Sequence, residues 1–327
     1  MPANTTTLTW RPLSRDDAKA SADLLNAIEA VDRIGENYTE ADTLTELVDP
    51  YADLERGSLA AFDGDVMVGY MKVRFKPFAD ADEVHRVFLD GGVHPDHRRQ
   101  GVGTRLVRAG VEAAKVLHDL HHPGRKLVID VHKAEHIAGL AELVRAHGFS
   151  PARYFQHLKH PLGGDSTAVR PPDGLGLEAW SPDNDDDFRH VRNEAYRDFW
   201  GASPMPADHW RNKITNQTFR PELSFLLRDT ATGAPVALLV TMYWEADTAA
   251  TGIRDAHFMV IGTVRTHRRR GAATALITHA LATAAAHRYD RASLSVDSAS
   301  PTGASGLFER TGFTPTMRYV RWALEVG

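Results

Sequence analysis

Two short segments carry residue types able to hold a phosphorylated cofactor. The first is Val93-His94-Pro95-Asp96-His97-Arg98-Arg99-Gln100-Gly101-Val102-Gly103-Thr104, and the second is Thr263-Val264-Arg265-Thr266-His267-Arg268-Arg269-Arg270-Gly271-Ala272-Ala273-Thr274. In each, arginines precede a glycine and further small residues, and the run that follows reads as a helix. A helix start exposes backbone N–H groups that lack partners within the helix. The helix dipole adds partial positive charge at the same end. Together they form an anion site that suits a pyrophosphate. Gly101 and Gly103, or Gly271, Ala272 and Ala273, let a phosphate come close to the backbone. The arginines add charge and bidentate donors.

The surrounding elements repeat with the turns. Gly101 and Gly271 lie 170 residues apart. Residues 84–92 and 256–262 read as strands feeding the turns, and residues 104–117 and 274–287 read as helices leaving them. A second echo follows. Residues 126–131 and 292–296 read as buried strands, and the next helical segments end in Gly148-Phe149 and Gly312-Phe313, 164 residues apart. A glycine just past a helix is a C-terminal cap signal. Each half opens alike, with strands at 8–13 and 175–179 and helices at 16–31 and 183–196. Hairpins follow, 59–62 with 66–73 and 224–228 with 236–244, the first turning at Asp63-Gly64 and the second at Thr232-Gly233. Residues 160–174 are rich in Pro and Gly and read as a linker. The chain is therefore read as an α+β protein of two domains, 1–162 and 174–327. Each is a mixed, mainly antiparallel sheet with helices on both faces, in the order β-α-α-β-β-β-α-β-α-β.

Composition narrows the function classes. A length of 327 residues suits two domains, and 43% hydrophobic with 25% charged residues is ordinary for a globular protein. The net charge of -5 argues against general nucleic-acid binding. The chain has no cysteine, which excludes thiolate nucleophiles, disulfides and Cys-based zinc sites. No apolar run is long enough for a membrane span and no signal peptide is visible, so a cytoplasmic protein that touches neither membrane nor nucleic acid is expected, as a monomer or homodimer. His118, His121 and His122 are read as an exposed helix end and no metal site is expected.

Two other phosphate loops fail to fit. The Gly-x-x-x-x-Gly-Lys-Ser/Thr loop is absent, and a dinucleotide fingerprint would follow the first strand of a domain rather than the fourth. Arg98 to Gly103 and Arg268 to Ala273, with the later Gly-Phe echoes and the segment from Ser300 to Phe313, resemble the GNAT superfamily of acetyl-CoA-dependent N-acetyltransferases. The resemblance covers nearly the whole chain as two copies, and the tandem layout is similar to that of the mycothiol synthases and their actinobacterial relatives. It implies acetyl-CoA as cofactor, lying between the fourth and fifth strands of a domain. Its phosphates would meet the amides of Arg99, Gln100, Gly101, Val102, Gly103 and Thr104 in the first half, and those of Arg269, Arg270, Gly271, Ala272, Ala273 and Thr274 in the second, with Arg98 and Arg268 alongside. Pantetheine would meet Gly92 and Val93, or Ile261, Gly262 and Thr263. Ser300 and Phe308 occupy positions where the family has an asparagine and a tyrosine that serve the cofactor and leaving thiolate; the first half has His136 and Val144 there. Ser305, Tyr243 or water are left as general acids.

Transfer to an amine needs a proton acceptor. Period two puts Asp255, His257, Met259 and Ile261 on one strand face, and an imidazole titrates near neutrality. Tandem relatives that this chain resembles have a glutamate at the position aligned with His257, whereas the first half has Val87, preceded by Glu83 and His85. Catalysis is therefore expected in the second half, with His257 as base and Glu245 and Asp255 as fallbacks, while the first half is structural or cofactor-binding. The family's acceptor region is carried here by Tyr196, Phe199, Trp200 and Trp210 with Asp198, Asp208 and His209, and by Tyr243, Trp244 and Glu245 read as third-strand residues. Aromatic walls with carboxylates suit the amine of a small molecule.

Overall fold

The computed structural model describes residues 7–49, 51–75, 84–163, 170–197, 199–300 and 303–326. The chain divides into two compact units: Met1–Tyr154 with Arg318–Gly327, and Phe155–Met317.

In unit 1, β1 (Thr9–Arg11) leads to α1 (Ala18–Asp32), α2 (Glu40–Leu47) and the short α3 (Leu54–Gly57). The strands β2 (Ser58–Asp63), β3 (Val66–Phe75) and β4 (Val84–Val93) follow, then α4 (Val102–His121), β5 (Lys126–Ala134), α5 (Leu140–Arg145) and the start of β6 (Ser150–Pro161). The helix α4 forms because Val102, Leu106, Gly110, Ala114 and Leu117 recur every three or four residues and bury one face against the sheet. The strand order is β1-β2-β3-β4-β5-β12, where β12 (Thr314–Val326) is the last strand of the sequence. Residues from Tyr319 to Val326 pair antiparallel with β5 from Ala134 back to Leu127. Among the described strand pairs of unit 1, β4–β5 alone is parallel.

Unit 2 repeats the plan. It holds β7 (Leu175–Ala179), α6 (Asp185–Ala195), α7 (Ala207–Ile214), β8 (Phe225–Asp229), β9 (Pro235–Met242), α8 (Glu245–Thr251), β10 (Asp255–Thr263), α9 (Ala272–Ala286), β11 (Arg291–Asp297) and α10 (Ala304–Arg310). Its strand order is β6-β11-β10-β9-β8-β7, with β10–β11 parallel. Here β6 plays the part that β12 plays in unit 1: Phe155 to Pro161 pair antiparallel with Asp297 back to Arg291. The last strand of each sequence half thus completes the sheet of the other unit. The core of unit 2 lies between its sheet and α9, centred on Leu227, Leu239, Leu276, Ile277 and Leu294. A second cluster beneath α6 and α7 contains Phe188, Val191, Trp210 and Leu238.

Each unit therefore has the α+β architecture read from the sequence. No helix among the described residues is long and apolar enough to cross a membrane.

Candidate functional site

The two turns agree in backbone torsion as well as in sequence. Each begins with a 3-10 turn, Pro95–His97 or Arg265–His267. Arg99 and Arg269 then both take φ of 61°, and Gly101 and Gly271 cap α4 and α9 at 84° and 85°. The left-handed cap favours glycine in both places. The first arginine of each pair turns inward. Arg98 donates to the Val93 carbonyl at 3.2 Å and, through both Nη atoms, to the Asp32 carboxylate at 2.7 and 2.8 Å. Arg268 donates to the Thr263 carbonyl at 3.1 Å and to the Ala195 carbonyl at 2.9 Å. Both arginines tie the turn to the end of the unit's first helix, so their donors serve the scaffold. Arg99, Arg269 and Arg270 are exposed, as is Gln100, whose Nε2 donates to the Asp96 carbonyl. Thr104 is exposed and Thr274 half-buried, while Val102 and Ala272 point into the cores.

Beyond each turn, two parallel strands part. The β4–β5 ladder runs from Val84 to Phe88 and stops; the β10–β11 ladder runs from Asp255 to His257 and stops. In unit 1 the fork opens into a cavity of about 420 Å³. The cavity reaches Arg99, Gly101, Gly103 and Thr104 on the turn, Asp90 to Val93 on β4, and Val131 and Lys133 on β5, and it is closed by Ile28 and Tyr38. A nucleotide thioester fits this arrangement: an anion-binding helix start leads into a strand edge without a ladder partner and then into a largely apolar chamber. In unit 2 the same positions are Ile261, Gly262 and Thr263. Tyr196 sits at the end of α6 and its hydroxyl donates to the Ile261 carbonyl at 3.3 Å. It shares the environment of Gly262, where an added Cβ would lie 2.8 Å from the Ala195 Cβ. Tyr196, read as an acceptor residue, therefore packs from the end of α6 against Ile261 and Gly262 of β10.

His257 lies at the mouth of the second fork. It is opposite Met242 on β9 and Ser293 on β11, and its Nδ1 is 2.9 Å from Ser293 Oγ. Trp244 and His157 meet the ring edge-on, with centroids 5.6 and 5.9 Å away. Burial pushes the imidazole below its usual value; Asp255 pulls it up and Lys213 pushes it further down. The ring is thus neutral near pH 7 and able to take a proton. The strand bulges between Phe258 and Val260, whereas β4 runs against β3 without a shift. Counted along the neighbouring strand from the turn, the counterpart of His257 is Phe88, opposite Arg74, and not Val87. Val87 is fully buried on the α4 side. Neither residue can accept a proton.

Several expected site residues sit elsewhere. Glu245 is not on a strand but is the exposed first residue of α8, because β9 ends at Met242. Asp255 is bound to Arg291, Nε to Oδ2 at 2.6 Å, and so serves as an ion-pair partner. Trp210 is a core residue, 1% exposed, its indole N–H donating to Asp185 Oδ1 at 2.7 Å. Tyr243 is buried too, edge-on to Tyr289 and beneath Arg220. Phe308 is buried in the core against Phe313. Trp200 lies half-buried in the turn after α6, and Ser300 caps the turn after β11, its N–H donating to the Asp297 carbonyl. Glu83 and Asp198 fall outside the described residues. His118 is buried, not exposed: α4 runs on to His121 and sets His118 Nδ1 2.9 Å from the Nδ1 of buried His85. Sequence reasoning missed Asp32, Ser293 and His157. Ser293 had a signal, since it alternates with Leu294 on a predicted strand parallel to that of His257.

Residues 26–142 and 186–313 each match the profile described as the Acetyltransferase (GNAT) family. The chain belongs to that family, and it is an acyltransferase of a kind that draws on acyl-CoA donors. It is similar to a mycothiol acetyltransferase of Salinispora arenicola, with 27% identity over 95% of this chain and 94% of the relative. A mycothiol acetyltransferase of Salinispora tropica is 26% identical over 90% of each chain. Among solved structures, a GCN5-related N-acetyltransferase from Sphaerobacter thermophilus superposes with a TM-score of 0.74 at 23% identity, covering 97% of this chain and 95% of its own. A tandem GNAT protein from the clavulanic acid biosynthesis pathway superposes with a TM-score of 0.71 at 17% identity, covering 98% and 99%. These structures share the fold.

Proposed function

We propose that the chain moves an acetyl group from acetyl-CoA directly to the primary amine of a small molecule, with the chemistry in unit 2 and His257 as base. The observation that carries this reading is the neutral, half-buried His257 at the strand fork, hydrogen-bonded to Ser293. When acetyl-CoA is bound, it supplies the thioester carbonyl that the amine attacks. In unit 2 the amides from Arg269 to Thr274 hold the phosphates, and the exposed Arg269 and Arg270 add charge. With Nδ1 donating to Ser293, Nε2 carries the lone pair that removes the ammonium proton. Trp244 walls the amine beside it. Phe308 has no proton to give and Tyr243 is buried, so the thiolate leaves as the anion or takes its proton from Ser305 or water.

Unit 1 is read as a cofactor-binding unit without chemistry, because its cavity joins turn and fork while Phe88 stands where His257 would be. The names of the Salinispora relatives favour a second reading of the acceptor, the cysteinyl amine of a mycothiol precursor. Release of free coenzyme A across a panel of amines, aminoglycosides and mycothiol precursors tests both. The amine reading expects amine-dependent release that His257→Ala slows by roughly 10²-fold or more. If acetyl-CoA binds and no amine is acetylated, the protein is an acyl-CoA sensor instead.

A further inference from the structure

His157 lies at the edge of the proposed site although it belongs to the first half of the sequence. It comes in on β6, directly opposite Ser295 of β11. Strand alternation sets its face. Leu158 pairs with Leu294, and both lie in the core on the α9 side. His157 and Ser295 therefore project from the other face, as Ser293 and His257 do. The His157 and His257 rings stand edge to face, 5.9 Å between centroids. Ser295 between them is exposed, so this face is open to a ligand at that point. Nε2 of His157 is buried and has no hydrogen-bond partner among the described residues. That nitrogen is closed to solvent, so the rest of the half-buried ring is what a ligand on this face meets. Burial, with the nearby His257, pushes His157 down to about 3, so it is a neutral hydrogen-bonding group and not a second base.

We propose that His157 is an acceptor-binding residue, and that its imidazole hydrogen-bonds a polar atom three or four bonds from the amine nitrogen held by His257. Two rings at this spacing suit atoms roughly 3 to 5 Å apart, each at ordinary hydrogen-bond distance from its ring. The acceptor class is then a vicinal amino alcohol, an amino sugar or an amino-acid amide, and not a simple alkylamine. This inference rests on the reading of unit 2 as an amine acetyltransferase.

The test compares matched pairs with acetyl-CoA as donor, glucosamine against cyclohexylamine and L-serinamide against isobutylamine, at equal concentrations of neutral amine. The wild-type protein should favour the polar member by about tenfold or more in kcat/KM, mainly through KM, as a site built to bind a polar group rejects an analogue lacking it. His157→Leu should reduce that preference to below about threefold, and His157→Gln, which keeps a donor and an acceptor, should restore most of it. Equal turnover of both members by the wild-type protein overturns the inference and leaves the acetyltransferase reading in place. A preference that survives in His157→Leu overturns it as well. Absence of turnover with every amine overturns the acetyltransferase reading and this inference with it. The wild-type comparison needs no variant, so poor folding of His157→Leu does not remove the test.

Discussion

At the scale of single residues, the proposed mechanism turns on the protonation state of His257. Its folded-state value lies below that of a free imidazole because burial outweighs the pull of Asp255. A base must be deprotonated to work, so activity falls as pH drops through that value. The acid limb of kcat/KM, measured with a saturating acyl donor, should therefore have its midpoint below about 6.5, the ordinary imidazole value. A midpoint at or above that value would assign the limb to another group. Ser293→Ala should weaken catalysis less than His257→Ala does, since it removes an orienting hydrogen bond and leaves the base. The placement of His257 was legible in the sequence because strand alternation is local: period two puts it on the face opposite Ala256 and Phe258 whatever the rest of the chain does. Trp210 and Tyr243 were misjudged for the converse reason. An aromatic residue at helical or strand spacing looks the same whether it lines a pocket or fills a core, and only packing against Phe188 or Tyr289 separates the two.

At the scale of elements, the turns and the strands entering them show which glycines matter and why. Gly91 on β4 has φ of 144°, and a Cβ there would lie 2.1 Å from the Tyr70 carbonyl oxygen, a backbone atom that cannot swing aside. Gly101 has φ of 84°, yet a Cβ there would meet nothing within 4 Å. Gly101→Ala should thus cost only the conformational strain of a left-handed alanine, about 1 to 2 kcal/mol. Gly91→Ala adds overpacking to strain and should cost about 3 kcal/mol or more. Urea denaturation of the cofactor-free protein, with the two variants side by side, checks the difference, and equal midpoints would contradict it. Both turns were legible because their residues are contiguous and repeat. The bulge at Met259 was not, because it exists only in the pairing of β10 with β9. Its consequence is a one-residue shift that moves the counterpart of His257 from Val87 to Phe88. Aligning the two halves by eye is correct from the turn back to the bulge and off by one beyond it.

At the scale of the whole molecule, the terminal strands decide what can fold alone. The linker composition at residues 160–174 marks a place to cut, and nothing in the local pattern of β6 or β12 says which sheet either strand joins. The hydrogen bonds that decide it link Leu127 to Val326 and Phe155 to Asp297, across separations no periodicity reports. A fragment of residues 1–162 lacks β12. It leaves β5, whose residues Leu127 to Val131 are buried, as a sheet edge, and it loses Val320 and Trp322, which are 2% and 5% exposed in the core of unit 1. Burial of a large apolar side chain contributes about 1.5 to 3 kcal/mol, and truncating a buried Trp costs about 3 to 5 kcal/mol. With the β5 hydrogen bonds lost as well, this approaches the 5 to 15 kcal/mol that holds a typical domain together. A bared apolar edge strand also invites aggregation. Residues 174–327 expressed alone lose Phe155 and Leu158 and expose β11 in the same way. We therefore expect each fragment to be aggregated or to lack a cooperative urea transition. Adding a peptide of residues 312–327 to the first fragment should restore its transition in part, because the missing contacts are those of one strand. A first fragment that unfolds cooperatively by itself, with the midpoint of the full chain, would show that unit 1 does not need the strand supplied from the far end of the sequence.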